Sequence, residues 1–218
     1  MTRERKWRGA ICAGLLSMTC ASVANASSVP AVESVMQRGF PAQPDQLAIV
    51  TSALFKEYGE TKNVVSLIFY AWGALRQAEN ASAVNDYINA SEYAKTGFFY
   101  LDEAIDSHED DLRVRYMRAR VDAWLAPEMG RCAVTIKDTE WMLKDKTLFN
   151  PAQIARIHQM RYLALYNCKK YPQAAQLLAQ IKSQDAAVAK ELALHNNVAP
   201  AWDANEVAQV LLPLVKGE

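Results

Sequence analysis

Residues 111–181 read DLRVRYMRARVDAWLAPEMGRCAVTIKDTEWMLKDKTLFNPAQIARIHQMRYLALYNCKKYPQAAQLLAQI and predict two successive helix-turn-helix units. In the first unit, Asp111 is a good N-cap for a helix over 112–124. Gly130 lies in the break that follows, and a second helix is predicted over 132–144. The stretch therefore indicates helices that alternate with short turns.

The second unit repeats this pattern. Asn150 is a suitable N-cap, Pro151 occupies the first helical position, and the helix is expected to reach about Tyr166. The next helix carries apolar residues at i, i+3, i+4 and i+7, which form one stripe: Ala174, Leu177, Leu178 and Ile181. Ala133 and Ala174 hold matching places 41 residues apart. A repeat of this length indicates an α-solenoid, in which each hairpin buries its apolar face against its neighbours.

The last helix of this stretch resembles the second helix of a tetratricopeptide repeat. In Tyr171-Pro172-Gln173-Ala174 an aromatic residue precedes a small one, and the larger Leu178 and Ile181 follow. The resemblance covers about residues 64–181. It implies helical hairpins with a binding groove, and it brings no catalytic motif with it.

An earlier and longer hairpin is predicted from helices over 64–78 and 82–107. Shorter helices are expected on both sides of the repeats, with the C-terminal one capping the stack. No run of alternating apolar and polar residues indicates a β-sheet. The predicted fold class is all-α, a right-handed α-solenoid of about three tetratricopeptide-like hairpins with flanking capping helices. Residues 46–218 are expected to form this single helical-repeat domain.

The N-terminus has the three parts of a secretory signal peptide over residues 1–26. Four basic residues precede an apolar run over 10–23, and Ala24-Asn25-Ala26 is a small-residue cleavage site. We expect cleavage after Ala26 and a periplasmic location. Residues 27–45 hold three prolines and few periodic apolar positions, so they are predicted to be an extended N-terminal arm.

Charge and motifs exclude several classes of function. The signal removes four basic and one acidic residue from the 24 of each kind, which leaves 20 Lys plus Arg against 23 Asp plus Glu. This mild acidity argues against nucleic-acid binding, which needs a basic field. No later apolar run is long enough to span a membrane. The three histidines lack metal-ligand spacing, and no cofactor motif occurs, so we expect no metal and no cofactor.

Two cysteines remain after the signal is removed, and they enter an oxidising compartment. Cys132 opens one predicted helix and Cys168 closes another, so a solenoid can bring these helix ends together. A Cys132–Cys168 disulfide is the leading interpretation. The alternative is a pair of buried free thiols. A redox-active pair is disfavoured because the cysteines lack Cys-x-x-Cys spacing.

Four arginines lie on the predicted helix over 112–124. Arg113 and Arg120 fall between two apolar arcs of this helix, whereas Arg115 and Arg118 point the other way. A guanidinium within an apolar face needs a carboxylate or a ligand anion as its partner. Candidate internal partners, which would lock two hairpins together, are Asp102, Asp106, Asp138 and Glu140. The functional alternative is an anion or carboxylate site, such as one for a peptide C-terminus.

Aromatic residues on the helix over 82–107 are the second candidate for a binding surface. Tyr87, Tyr93 and Phe98 lie close together along it and are predicted to line the groove. The alternative is that these aromatic side chains belong to the core.

Three classes of function follow from these patterns. The leading one is a periplasmic helical-repeat protein that binds another protein or peptide as an adaptor or assembly factor. The second is a small-ligand accessory protein of a transport system, with an anion held by Arg113 and Arg120. Such a site requires those two arginines to lack internal carboxylate partners. The third is a cell-wall enzyme with paired carboxylates on facing helices. No catalytic motif is present, so we expect no enzyme.

Overall fold

The computed structural model describes residues 29–145, 147–194 and 198–217. Throughout these residues the chain is helical and contains no β-strand, which confirms the all-α class. The predicted signal peptide over 1–26 lies outside the described residues. None of the described helices combines the length and the apolar character needed to cross a bilayer.

Nine α-helices and a composite C-terminal segment make up the described chain. The helices are α1 Pro30–Arg38, α2 Pro44–Thr61, α3 Val64–Ala83, α4 Tyr87–Asp106, α5 Leu112–Asp122, α6 Cys132–Lys144, α7 Pro151–Asn167, α8 Tyr171–Gln184 and α9 Ala186–Leu192. The C-terminal segment, α10, joins three stretches, namely Ala204–Glu206, the π-helical Val207–Leu211 and Leu212–Lys216. A short 3₁₀ turn, Pro127–Met129, separates α5 from α6.

Helices that are neighbours in sequence pack against each other from α2 to α9. The C-terminal segment α10 departs from this order, because it contacts α3, α5 and α7. The sequence predicted that the last helix caps the end of the stack. It lies instead across helices of successive hairpins, where Val210, Leu211 and Leu214 are buried.

Helix α3 is the centre of the core, because its side chains are buried on nearly all sides. Two glycines allow its neighbours to approach closely. A Cβ added at Gly97 of α4 would lie 2.6 Å from Cγ of Leu75 and 2.9 Å from the backbone oxygen of Ala71. A Cβ added at Gly73 would lie 2.5 Å from Oγ1 of Thr51 on α2. The lack of a side chain at these two glycines thus allows the close spacing of α2, α3 and α4.

The prediction of an extended arm over 27–45 is wrong. Helix α1 occupies most of the described part of this range, with Val32 and Val35 buried. The carboxylate of Glu57 on α2 accepts hydrogen bonds from the backbone N–H groups of Ala31 at 2.6 Å and Val32 at 3.3 Å. A carboxylate stabilises the free N–H groups at a helix start. This distant cap explains why the proline content was misleading.

Cys132 and Cys168 form a disulfide, which confirms the leading interpretation. Their Sγ atoms are 2.11 Å apart and their Cα atoms 5.5 Å apart. Cys132 is the first residue of α6, and Cys168 follows the last residue of α7. The bond therefore ties the start of one helix to the end of the next.

Candidate functional site

The four arginines of α5 have different partners. Two of them belong to a buried ionic network between α4, α5 and α6. The network consists of Arg115, Arg118, Arg131, Asp102, Asp122 and Asp138. At its centre, Arg118 donates through Nε and Nη2 to the two oxygens of Asp138, each at 2.8 Å. Its Nη1 also donates to Asp102 at 3.0 Å. Arg118 therefore joins three helices.

Arg131 closes the other side of the network. Its Nη2 lies 2.7 Å from Asp102 and its Nε 3.0 Å from Asp122. Burial would raise the pKa of Asp102, but the hydrogen bonds and charges of Arg131 and Arg118 outweigh it and hold that pKa below its usual range. Burial raises the pKa of Asp122 to about 7, against the opposing charge of Arg131. The Oδ1 atom of Asp122 is buried and accepts no hydrogen bond from the described residues.

This network corrects the sequence interpretation of α5. Asp102 and Asp138 do lock neighbouring helices together, as predicted, but they pair with Arg118 rather than with Arg113 or Arg120. Arg118 is buried, although it was predicted to point away from the apolar arcs. The reason is that α5 is covered on several sides, so its polar face also meets protein.

Arg113 forms an ion pair with Asp111, two residues before it in the chain. Its Nε and Nη2 donate to the two carboxylate oxygens of Asp111, at 3.0 and 2.9 Å. Asp111 also accepts from the Arg113 backbone N–H, as the predicted N-cap of α5. Arg113 lines none of the cavities described below. The structure thus separates Arg113 from Arg120.

Arg120 is almost fully buried and pairs with an acid that the sequence interpretation missed. Its Nε lies 2.9 Å from Glu206 of α10, which also accepts a 2.7 Å hydrogen bond from the hydroxyl of Tyr116. Its Nη2 donates to the backbone oxygen of Pro200 at 2.7 Å. Burial lowers the pKa of Arg120, and burial together with the charge of Glu206 raises the pKa of Tyr116. Arg120 therefore has its internal partners.

A cavity with several aromatic walls lies at Arg120, and we name it the tryptophan cavity. It encloses about 560 Å³ and is partly open to solvent. Its aromatic walls are Phe40, Trp72, Trp124 and Trp202, and the charged groups that line it are Arg76, Glu79 and Arg120. These residues come from the α1–α2 connection, α3, α5 with the residues after it, and the segment before α10. The cavity is therefore assembled by the tertiary fold.

Ring contacts hold the walls of the tryptophan cavity in place. Phe40 meets Trp72 edge to face with ring centroids 5.2 Å apart, and Trp72 meets Trp202 at 6.4 Å. The Arg120 guanidinium lies 3.6 Å from the Trp202 ring centroid and 6.0 Å from that of Trp124. Edge-to-face ring contacts and the contact of the Arg120 guanidinium with Trp202 fix the walls relative to one another.

Arg76 has fewer partners than Arg120, the other arginine that lines the cavity. Its Nε is buried and has no hydrogen-bond partner in the described part of the chain. The nearest acid along α3 is Glu79, whose pKa is raised by burial and lowered in part by the charge of Arg76. No ion pair joins Arg76 to a carboxylate of the described residues. A buried guanidinium nitrogen without a partner is costly unless a ligand supplies one.

A second cavity of about 570 Å³ adjoins the first. Both are lined by Trp124 and residues 198–200. The described lining of the second cavity is mostly apolar, and its polar groups are Arg156, Gln159 and Glu191. Arg156 donates to the side-chain oxygen of Gln159 at 2.6 Å. Together the two cavities place apolar walls beside a few polar and charged groups.

The predicted aromatic residues of α4 lie elsewhere. Tyr87 is 65% exposed and Tyr93 38% exposed, near the start of α4, and neither lines the tryptophan cavity. Phe98 is partly buried beneath Arg131, whose guanidinium carbon is 4.9 Å from the ring centroid. Phe98 thus packs against the ionic network through Arg131. Tyr87 and Tyr93 remain a separate exposed surface.

The sequence interpretation missed the residues that build the tryptophan cavity. Three of the five tryptophans in the chain line it, at positions 72, 124 and 202. They are far apart in sequence, so no local spacing links them. Tryptophan content alone is the signal that could have drawn attention to them. Among the described residues, no group of three or more His, Cys, Asp or Glu side chains is placed to hold a metal ion.

Comparison of the chain with protein-family models, with curated proteins and with solved structures finds no match. The geometry of the chain itself is therefore the basis on which its function is interpreted.

Proposed function

We propose that this protein binds a segment of another protein or peptide in the tryptophan cavity, as a periplasmic helical-repeat adaptor or assembly factor. The observation that carries this proposal is the cavity itself, about 560 Å³ with four aromatic walls. Cavities of about 300–1,000 Å³ with apolar walls and a few polar groups are typical of binding sites. Tryptophan and arginine are also enriched among the residues that dominate binding energy at protein interfaces.

The charges around the cavity favour binding over hydrolysis. Among the described lining residues, Glu79 is the single acid. Hydrolysis of a glycoside by the usual mechanism needs two carboxyl groups that flank the scissile bond. The described lining of the tryptophan cavity therefore offers no second carboxyl group for such chemistry, and a cell-wall enzyme is the weaker proposal.

A periplasmic location fits both the sequence and the fold. The signal-like residues 1–26 carry the prediction, and the Cys132–Cys168 disulfide is typical of an oxidising compartment. The tetratricopeptide-like resemblance adds that helical hairpins commonly present binding surfaces. These arguments are independent of the cavity.

The small-anion alternative, as first formulated, required Arg113 and Arg120 to lack internal partners. Arg113 pairs with Asp111 and Arg120 with Glu206. An anion site built on those two arginines is therefore not favoured. Arg76 lines the cavity and has a buried Nε that no described residue accepts from.

Cross-linking in cells, followed by affinity capture of the periplasmic protein, tests the proposal. Wild type is compared with Trp72→Leu, which removes one wall of the cavity, and with Tyr87→Ala, which alters the exposed surface of α4. Circular dichroism first establishes that each variant is folded. We expect one protein to be recovered with wild type and Tyr87→Ala and lost with Trp72→Leu. Loss with Tyr87→Ala alone would move the binding surface to α4.

A further inference from the structure

We infer that the tryptophan cavity takes the free carboxyl terminus of its protein partner. In this arrangement the last side chain, which is apolar, lies among the rings, and the terminal carboxylate pairs with Arg76. The inference rests on the proposed function and adds the chemistry of the ligand. Its first support is Arg76, whose guanidinium lines the cavity beside Glu79 and the aromatic walls.

Arg76 is suited to a carboxylate by its geometry. A guanidinium presents its N–H donors in a planar fork that matches the two oxygens of a carboxylate. In the described chain the Nε donor of Arg76 is buried and unused. A carboxylate offers this donor a charged acceptor, which a C-terminal amide does not.

The other arginines near the two cavities are already engaged. Arg120 is paired with Glu206 and with the backbone oxygen of Pro200. Arg156 bonds to Gln159 and lies 3.8 Å from Glu206. Of the two arginines that line the tryptophan cavity in the described chain, Arg76 is therefore the one whose Nε is left without a hydrogen bond, with Glu79 as the acid beside it.

The aromatic walls determine which side chain of the ligand can bind next to its carboxylate. Phe40 contacts Trp72, and Trp72 contacts Trp202, so an apolar side chain that packs against these rings loses much of its contact with water. A buried aromatic side chain removes about 150–250 Å² from water, which is a large contribution to binding. We therefore expect an aromatic or large aliphatic last residue.

The second cavity argues for a peptide over a small organic acid. It adjoins the tryptophan cavity at Trp124 and residues 198–200, and it adds about 570 Å³. Its polar lining residues Gln159 and Glu191 provide partners for backbone amide groups. A ligand that fills both cavities is longer than a single acid, and its preceding residues lie in the second cavity.

Short peptides test the inference directly. The probes are acetyl-Ala-Ala-X with X as Phe, Trp or Leu, each as the free acid and as the C-terminal amide. Binding to the disulfide-bonded protein is followed by calorimetry and by tryptophan fluorescence. We expect at least one free acid to bind at least tenfold more tightly than its amide. Arg76→Gln should abolish this preference, and Arg113→Gln should preserve it.

Three results would overturn the inference. Equal binding of acid and amide would remove the role of the carboxylate while the proposed function stands. Binding of 3-phenylpropionate as tight as that of the best peptide would identify a small acid as the ligand. If no free acid binds, although cross-linking still captures a partner that Trp72→Leu loses, the partner enters the cavity by another part of its chain.

Discussion

The carboxylate of Glu206 lies 2.9 Å from Nε of Arg120, across 86 residues of chain. Both side chains are buried, and Glu206 also accepts from Tyr116. This pair joins α10 to α5 beneath the tryptophan cavity. It also holds the Arg120 guanidinium against Trp202, so the pair supports one wall of the proposed site.

Replacing Glu206 with Ala should destabilise the protein strongly. Removal of one partner of a buried ion pair leaves an uncompensated charge and costs about 3–5 kcal/mol. Urea denaturation measures the change in the free energy of unfolding. The control is Glu60→Ala at the exposed Lys56–Glu60 pair, which should change stability by less than about 0.5 kcal/mol. Equal effects of the two variants would contradict the structural role of Glu206.

The packing of α3 against α4 predicts opposite effects for two glycine substitutions. Gly97→Ala places a Cβ 2.9 Å from the backbone oxygen of Ala71, where nothing can yield easily, so we expect a loss of about 1–3 kcal/mol. Gly59→Ala, in α2, meets no atom within 4 Å and should stabilise by about 0.5–1 kcal/mol. Thermal and urea denaturation compare the two. A neutral Gly97→Ala would show that α3 and α4 are less closely packed.

Removal of the disulfide should lower stability by about 3–4 kcal/mol, because the bond closes a loop between residues 36 positions apart. The comparison uses the chain from Ser27, as wild type and as the Cys132→Ser, Cys168→Ser double variant. A reducing agent should destabilise wild type and leave the double variant unchanged. Titration of free thiols in unfolded wild type should find none. Two reactive thiols would show that the pair is not oxidised in the isolated protein.

Asp122 should make stability fall as pH rises toward neutrality. Burial raises its pKa in the folded chain to about 7, whereas an unfolded Asp titrates near about 3.9. Between about pH 4 and pH 7 the folded state thus binds a proton that the unfolded state lacks. The free energy of unfolding then decreases with pH, by at most about 1.4 kcal/mol per unit. Asp102 acts oppositely, but its stabilising contribution is lost only as pH falls below about 4.

The variant Asp122→Asn isolates this effect. It removes the titrating group and leaves Arg131 paired with Asp102. Urea denaturation at pH 5 and pH 7.5 should show a smaller difference for Asp122→Asn than for wild type. If the two proteins have the same pH dependence, another group is responsible.

Local signals in the sequence predicted local structure well. Asn150 caps α7 in a full capping box with Gln153, and Asp111 caps α5, as their positions indicate. The disulfide was also predictable, because the predicted removal of residues 1–26 leaves two cysteines, each at a helix end. These features depend on residues close in sequence, or on a pair with no competitor.

Features that depend on distant residues were not predictable. Helix α1 was missed because its N–H groups are capped by Glu57, far along the chain. The pairing of α5 was assigned to Arg120 and Arg113 with acids of neighbouring hairpins, but Glu206 reaches Arg120 from α10. A single sequence does not show which residues of two distant helices lie opposite each other. The tryptophan cavity was missed for the same reason.

The path of α10 across α3, α5 and α7 also makes one buried charge depend on the C-terminal part of the chain. Arg120 and Glu206 are 86 residues apart, so a chain in which α10 has not packed leaves the guanidinium without this acid. The units of an ordinary repeat array contact only their neighbours. In this fold a helix in the middle of the chain relies instead on α10 for the partner of its buried charge.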